Sequence, residues 1–202
     1  MHKGNVVVLI LLIVPAVLLI VSYSSYWYKV STGDSASYYK QDTIKSTGGG
    51  NTIYTDWSDN DGDKRTHQIF TSAMAFATIA WIVDIIAVFF IVLSLLGILS
   101  KIPLLPFLTK FLPLAVLILS LISLFIFVGL PSAMKKDCQA VSTDTICDND
   151  KQNKDLSGSQ SVTILGVTFT TKWGPIQGFA CVVVSAAFAL GATVASFLMS
   201  AF

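Results

Sequence analysis

Hydrophobic and polar positions fall in long blocks along this chain: four apolar stretches divided by two long polar segments and one short one. The block that organises the rest runs from Ile69 to Leu99 and holds one charged side chain, Asp84. A helix that long reaches about 46 Å, against roughly 30 Å for the hydrocarbon core of a bilayer. It is expected to cross a membrane, project beyond it and end at a Ser100-Lys101-Ile102-Pro103 turn. Ala73, Ala77, Ala80, Asp84 and Ala87 recur at helical spacing, which places them on one stripe. Small side chains let helix backbones approach in lipid, so the stripe predicts a seam against other helices, with Asp84 inside it.

Val6 to Val21 is an unbroken apolar run, preceded by His2 and Lys3 and followed by Tyr23, Tyr26, Trp27 and Tyr28. A basic start also fits a secretory signal peptide. The apolar core is longer than the roughly 7–15 residues usual there, however, and the aromatics form an interfacial belt. The run therefore reads as a first span, about residues 5–24, with a mild kink at Pro15. After the second span (about 69–99), a third covers about 105–130. Pro103, Pro106 and Pro113 crowd its start, where proline costs least, and Pro131 marks its end. The fourth, about 174–199, follows Trp173 as interface anchor. Gly178, Ser185, Ala189, Ala192 and Ser196 line one strip of it, and Ala187, Gly191 and Ala195 a second row. The last residues, Ala201 and Phe202, lead to the expectation of no tail for docking partners.

The long polar segments, about 25–68 and 131–173, favour β structure. Tyr38-Tyr39, Thr43-Ile44-Lys45 and Thr52-Ile53-Tyr54-Thr55 are strand-like, and Gly48-Gly49-Gly50-Asn51 between the last two is a hairpin signal. Ser161 to Leu165 and Val167 to Thr170 alternate apolar and polar around Gly166, which reads as a bulge.

Composition agrees with this picture. The chain is 53% hydrophobic and 12% charged, with a mean hydropathy of +0.70, whereas soluble domains are about a quarter charged. A net charge of +1 gives no electrostatic case for a nucleic-acid partner. The expectation is one four-span domain over 1–202, with the lipid bilayer as its first partner. Lys3, Lys101 and Lys110 stand in short segments without an acid, which places the termini in the cytoplasm and the long loops outside. Lys135 and Lys136 beside the third span pull mildly the other way. The loops are then extracellular or lumenal, and the plasma membrane is the expected location.

Few residues offer chemistry. Cys138 and Cys147 sit close together in a polar loop; a disulfide there would close a loop of about ten residues, worth roughly 2.5–3 kcal/mol. The alternative is a pair of free thiols, and Cys181 reads as a small packing residue. Asp84 is a functional candidate because an acid at mid-bilayer costs about 2.5–3.5 kcal/mol. Counting along the spans puts it level with Ser120, Ser123 and Ser185, so an interhelical hydrogen bond stands beside ion or proton handling as its role. Asp56, Asp59, Asp61 and Asp63 cluster around Gly62, dense enough in hard oxygens to invite calcium. The EF-hand register fails, with Trp57 at its first position and Gln68 at its last, and a solvated turn is the competing reading. No nucleophile–base pair, phosphate loop or cofactor motif is present, so no enzyme activity, cofactor or metal is expected.

The layout resembles the claudin and peripheral-myelin-protein superfamily. It has a short inside start, a first helix ending near Trp27-Tyr28-Lys29-Val30, a β-rich first loop and a small-residue fourth helix. Trp173-Gly174-Pro175-Ile176-Gln177-Gly178-Phe179 is similar to the lead into the last helix of claudin-like and amastin-like proteins. The resemblance implies a left-handed four-helix bundle with a small antiparallel sheet, four strands coming from the first loop and one from the second. The first loop has Trp57 without the family's Gly-Leu-Trp tripeptide and cysteine pair, so the fold is expected to carry over without the junctional ion-pore function.

The fold expected is thus an integral-membrane, all-α four-helix bundle with a small extracellular antiparallel β-sheet built from both long loops. The function expected is organising or adhering membranes through lateral self-assembly, as a homo-oligomer or with other membrane proteins, and through loop contacts. Trp27, Tyr38, Tyr39, Tyr54, Trp57 and Trp173 are its candidate interface aromatics, with plain packing as the competing reading. The alternative is a channel, transport or accessory subunit that uses Asp84.

Overall fold

The computed structural model describes residues 3–57, 61–97, 105–142, 147 and 151–199. Among them are four helices long and apolar enough to cross a membrane. They comprise α1 (Lys3–Ser24), α2 (Lys64–Leu95), α3 (Leu105–Val128) and α5 (Gln177–Met199), with a shorter α4 (Leu130–Val141). The described residues also form six strands: β1 (Tyr28–Thr32), β2 (Ser35–Tyr39), β3 (Thr43–Gly48), β4 (Asn51–Asp56), β5 (Gly158–Ile164) and β6 (Val167–Pro175). The structure is therefore four long apolar helices and a small antiparallel sheet formed from the inter-helix loops. The chain divides into two compact units.

The first unit comprises Met1–Ser24, Ala75–Leu124 and Ala180–Phe202. Its interior is built from small and medium side chains: Val8, Leu12, Ala87, Ile91, Ala192 and Ala195 form a buried cluster. Ile10, Ile13, Val17, Ile79, Ile82, Phe89, Leu190 and Leu198 are exposed. Large apolar groups outside and small ones inside invert a water-soluble core, which is the arrangement lipid permits. Within this unit the α2 stripe is buried at Ala77, Ala80, Asp84 and Ala87, and the α5 strip at Ser185, Ala189, Ala192 and Ser196. The second small row is only partly inside, since Ala187 is exposed. Asn5 Nδ2 donates to Ser94 Oγ at 2.9 Å and Trp81 Nε1 to Ala16 O at 3.0 Å.

The second unit comprises Ser25–Met74 and Phe125–Phe179. Its sheet runs β4-β3-β2-β1-β6-β5, every neighbouring pair antiparallel. β1 pairs with β6 as Val30↔Trp173 and Thr32↔Thr171, so strands from both loops share one sheet. Two backbone bonds continue this ladder, from Ile176 N to Trp27 O and from Gly178 N to Tyr26 O, both at 2.9 Å. Position 178 must be glycine for that approach: a Cβ there would stand 2.9 Å from Tyr26 O and 2.7 Å from Trp27 Nε1.

Several expectations need correction. The second loop contributes two strands, not one. Gly166 is not a bulge: Leu165 and Gly166 both adopt positive φ (51° and 80°) as a two-residue turn between Ile164 and Val167. The break in alternation at the glycine marks a reversal of direction. Gly49 and Gly50 make the equivalent turn between β3 and β4, as expected. Helix α2 begins at Lys64, five residues before the apolar block, where Asp137 satisfies its first amides (below). Helix α3 ends at Val128, just before Pro131. Gly129 breaks the helix and Pro131 sits in the first turn of α4, where a missing N–H costs nothing. The fourth starts at Gln177, since Trp173 to Pro175 belong to β6. Helices α1 and α3 run through Pro15 and Pro113. The expected turn at Ser100–Pro103 lies outside the described residues.

Candidate functional site

Aromatic side chains in the sheet unit fall into two groups. Trp27, Trp57 and Trp173 are buried, at 1%, 5% and 6% exposure. Trp27 meets Phe127 edge-on at 5.2 Å, and Trp57 stacks on His67 at 5.2 Å with the rings 6° from parallel. The indole N–H groups of Trp57 and Trp173 donate to Lys40 O (2.8 Å) and Asp155 O (3.0 Å). Tyr39 lies between Tyr28, Trp57 and Phe70. Their burial and contacts are those of packing residues. A buried indole brings a large apolar ring whose single N–H needs a partner, and the carbonyls of Lys40 and Asp155 supply it. Tyr38 is half-buried, with the Lys29 and Lys45 ammonium groups 5.1 and 5.8 Å from its ring centre. Tyr54 is the one expected contact aromatic that is largely exposed, at 63%.

The exposed apolar surface lies elsewhere, on a hairpin the sequence pattern marks as β without marking its faces as bare. On one face of β5–β6, Val162 pairs with Phe169, and Val167 follows near the turn; all three are about half exposed. On the other face, the hydroxyl pairs Ser161–Thr170 (2.9 Å) and Thr163–Thr168 (3.0 Å) form polar rungs. Leu165 at the tip is 99% exposed. No charged residue occurs between Asp155 and Lys172.

A cavity of about 260 Å³ in the same unit is lined by Asp63, Thr66 and Asp137, with Tyr39, Trp57 and Asn153 among its other walls. Asp137 is buried and caps α2 from outside: its carboxylate oxygens accept from Arg65 N (3.1 Å) and Thr66 N (2.7 Å). The next residue belongs to the same brace, because the Cys138–Cys147 disulfide (Cα–Cα 5.8 Å) ties α4 to the chain beyond it. Asn153 Nδ2 then donates to Cys147 O at 3.1 Å. Of the acidic quartet expected as a calcium candidate, Asp56 is exposed at the end of β4, Asp61 lies in a short 3-10 turn with Asp63, and Asp59 is outside the described residues. Among the described residues no three His, Cys, Asp or Glu side chains gather as a metal site. Asp63 faces Asp137, a residue of the other loop, which sequence spacing could not have paired. Burial first, and then the Asp137 charge, raises the Asp63 carboxyl above its ordinary range. Burial, with Asp63 second, likewise raises Tyr39.

In the helical unit Asp84 is fully buried, as the stripe requires, and neither of its oxygens has a hydrogen-bond partner among the described residues. The serines expected level with it are buried too: Ser120, Ser123 and Ser185. The expected hydroxyl partner is not supplied by Ser185, whose Oγ donates to Cys181 O on its own helix at 2.8 Å. Ser120 Oγ is without a partner among the described residues. Cys181 is the free cysteine, buried in α5.

Compared with known families and with curated proteins, the sequence matches no family model and no curated relative.

The Asp63 geometry predicts a pH dependence. A carboxyl whose folded value is raised binds more protons in the folded state between its unfolded value and that raised value. Stability therefore falls as pH rises through this window, and the full contribution is present below it. Asp63→Asn is expected to remove that slope, leaving the variant more stable than the parent at neutral pH and matched to it in acid. Thermal unfolding of both proteins across the acid range checks this.

Proposed function

We propose that this chain is a non-enzymatic, claudin-like membrane protein that organises or adheres membranes by self-assembly and by contacts of its loop-formed sheet. The observation that carries this reading is Leu165. An L-residue at positive φ costs roughly 1–2 kcal/mol, and a bare leucine leaves its apolar surface in water. Asn-Gly is the favoured pair for such a turn, so folding alone argues against leucine. Contact with a partner surface accounts for it. Val162, Val167 and Phe169 extend the apolar surface of the hairpin, and Ile53 and Tyr54 are exposed on opposite faces of β4, at the other end of the strand order. Such patches mark protein interaction sites. The disulfide supports loops in an oxidising compartment, and the lysines of the short segments support cytoplasmic termini at the plasma membrane.

Leu165→Asn is the direct test. On the surface of non-adherent cells the parent is expected to cluster cells. The variant is expected to lose most of that clustering while its thermal stability is unchanged or higher by up to about 1 kcal/mol. Clustering as strong with asparagine as with leucine would remove the hairpin from the function.

The buried Asp84 side chain, without a hydrogen-bond partner among the described residues, favours a second reading, a channel or transport subunit. In reconstituted vesicles that reading expects ion flux that drops at least about tenfold in Asp84→Asn. Absence of flux from both proteins leaves the organiser.

A further inference from the structure

One face of the sheet carries a row that crosses four strands. Lys29 on β1 stands opposite Tyr38 on β2, Tyr38 opposite Lys45 on β3, and Lys45 opposite Tyr54 on β4. Directly opposed residues share a face, so the side chains line up as Lys-Tyr-Lys-Tyr. With strands about 4.8 Å apart, the two lysine backbones are separated by about 10 Å. Their ammonium groups come from the strands on either side of Tyr38 and lie 5.1 and 5.8 Å from its ring centre. Two like charges thus share one ring. Neither forms an ion pair among the described residues, where Lys40–Asp42 is the pair observed. The next row on the same face adds Lys172 opposite Ser31, followed across the sheet by Ala36, Thr47 and Thr52. Lys172 is exposed and likewise without an ion pair among the described residues. Asp56, at the end of β4, is the acid that the strands place on this face, and Asp42 beside it is taken by Lys40.

We infer that this face binds an acidic polysaccharide, a chain of sugars that carry sulfate or carboxylate groups. Ammonium groups repeated at about 10 Å and left without carboxylates match a polymer that repeats its anions. Tyr54 ends the row with a ring that is 63% exposed. A pyranose offers a C–H face for that ring to cover, and hydroxyls that Ser31, Thr47 and Thr52 can answer. A protein partner fits less well. Interface centres are apolar and depleted in lysine, whereas the centre here is two ammonium groups and the aliphatic side chain beside it is Ala36. A bilayer surface also fits less well, because anionic lipid is read by clusters of about four to eight Lys or Arg and this face presents Lys29, Lys45 and Lys172. The inference takes from the proposed topology only the source of the ligand, outside the cell. It does not use the hairpin tip, since Leu165 belongs to neither row.

The test is binding of the full-length protein, held in phosphatidylcholine nanodiscs, to immobilised heparin. Saturable binding is expected, weakening as salt is raised. Lys29→Gln with Lys45→Gln is expected to lower the affinity about tenfold, and Lys29→Arg with Lys45→Arg to keep it within about threefold of the parent. Lys151→Gln with Lys154→Gln removes the same charge at exposed positions outside both rows and is expected to change the affinity less than about threefold. Leu165→Asn is expected to bind as the parent does, which separates this surface from the clustering hairpin. All variants are checked for parental circular dichroism and thermal unfolding. No saturable binding, equal losses from the two glutamine pairs, or loss in the arginine pair as large as in glutamine would each overturn the inference. So would competition by polyaspartate, or by phosphatidylserine vesicles, as effective as that by soluble heparin.

Discussion

The pairing of β1 with β6 is the interaction on which the rest of the sheet unit depends. Without it the unit would be a four-stranded meander from one loop and a lone hairpin from the other, and an isolated two-stranded hairpin is marginal in water. With it, Val30 sits opposite Trp173, Thr32 Oγ1 meets Thr171 Oγ1 at 2.7 Å, and the two loops become one structure. Both must then lie on the same side of any membrane the helices cross. The ladder continues through Ile176 and Gly178 into the first turn of α5, where only glycine allows the chains so close.

A second tie acts between the loops away from the sheet. Asp137 reaches from α4 to the amides that start α2, and the Cys138–Cys147 bridge holds the chain that follows. The same carboxylate that satisfies the helix also puts negative charge on a cavity wall. One residue thus serves the architecture and shapes the chemistry of the cavity. The helical unit obeys a different solvent. Alanine, serine and glycine face inward there because lipid offers no reward for hiding leucine or isoleucine, and close backbone approach is what remains to be gained.

Much of this was legible in the sequence because periodicity and hydropathy are local. Four apolar blocks gave four long helices, the alanine stripe gave the buried face of α2 and the position of Asp84, and Gly48–Asn51 gave the β3–β4 turn. What escaped depended on distant partners or on context. Pro131 reads as a stop until Gly129 is seen to break the helix first, leaving the proline in a first turn. Lys64 cannot be recognised as a helix start when its cap lies in the other loop. Trp27, Trp57 and Trp173 suit a membrane interface and a core equally well, and only the fold decides. Asp63 looked like one of four carboxylates in a turn, whereas its neighbour in space is Asp137. The bare Leu165 is visible as a residue, but its significance comes from its backbone conformation.

Disulfide trapping across the β1–β6 ladder tests the central claim most directly. In Thr32→Cys with Thr171→Cys, mild oxidation of intact membranes should link the two positions, because their side chains already touch. The native bridge and the buried Cys181 should leave little background. Mass spectrometry should recover the joined peptides in high yield. Failure to link, with the two cysteines labelled by an impermeant maleimide from opposite faces of the membrane, would contradict the shared sheet and the account built on it.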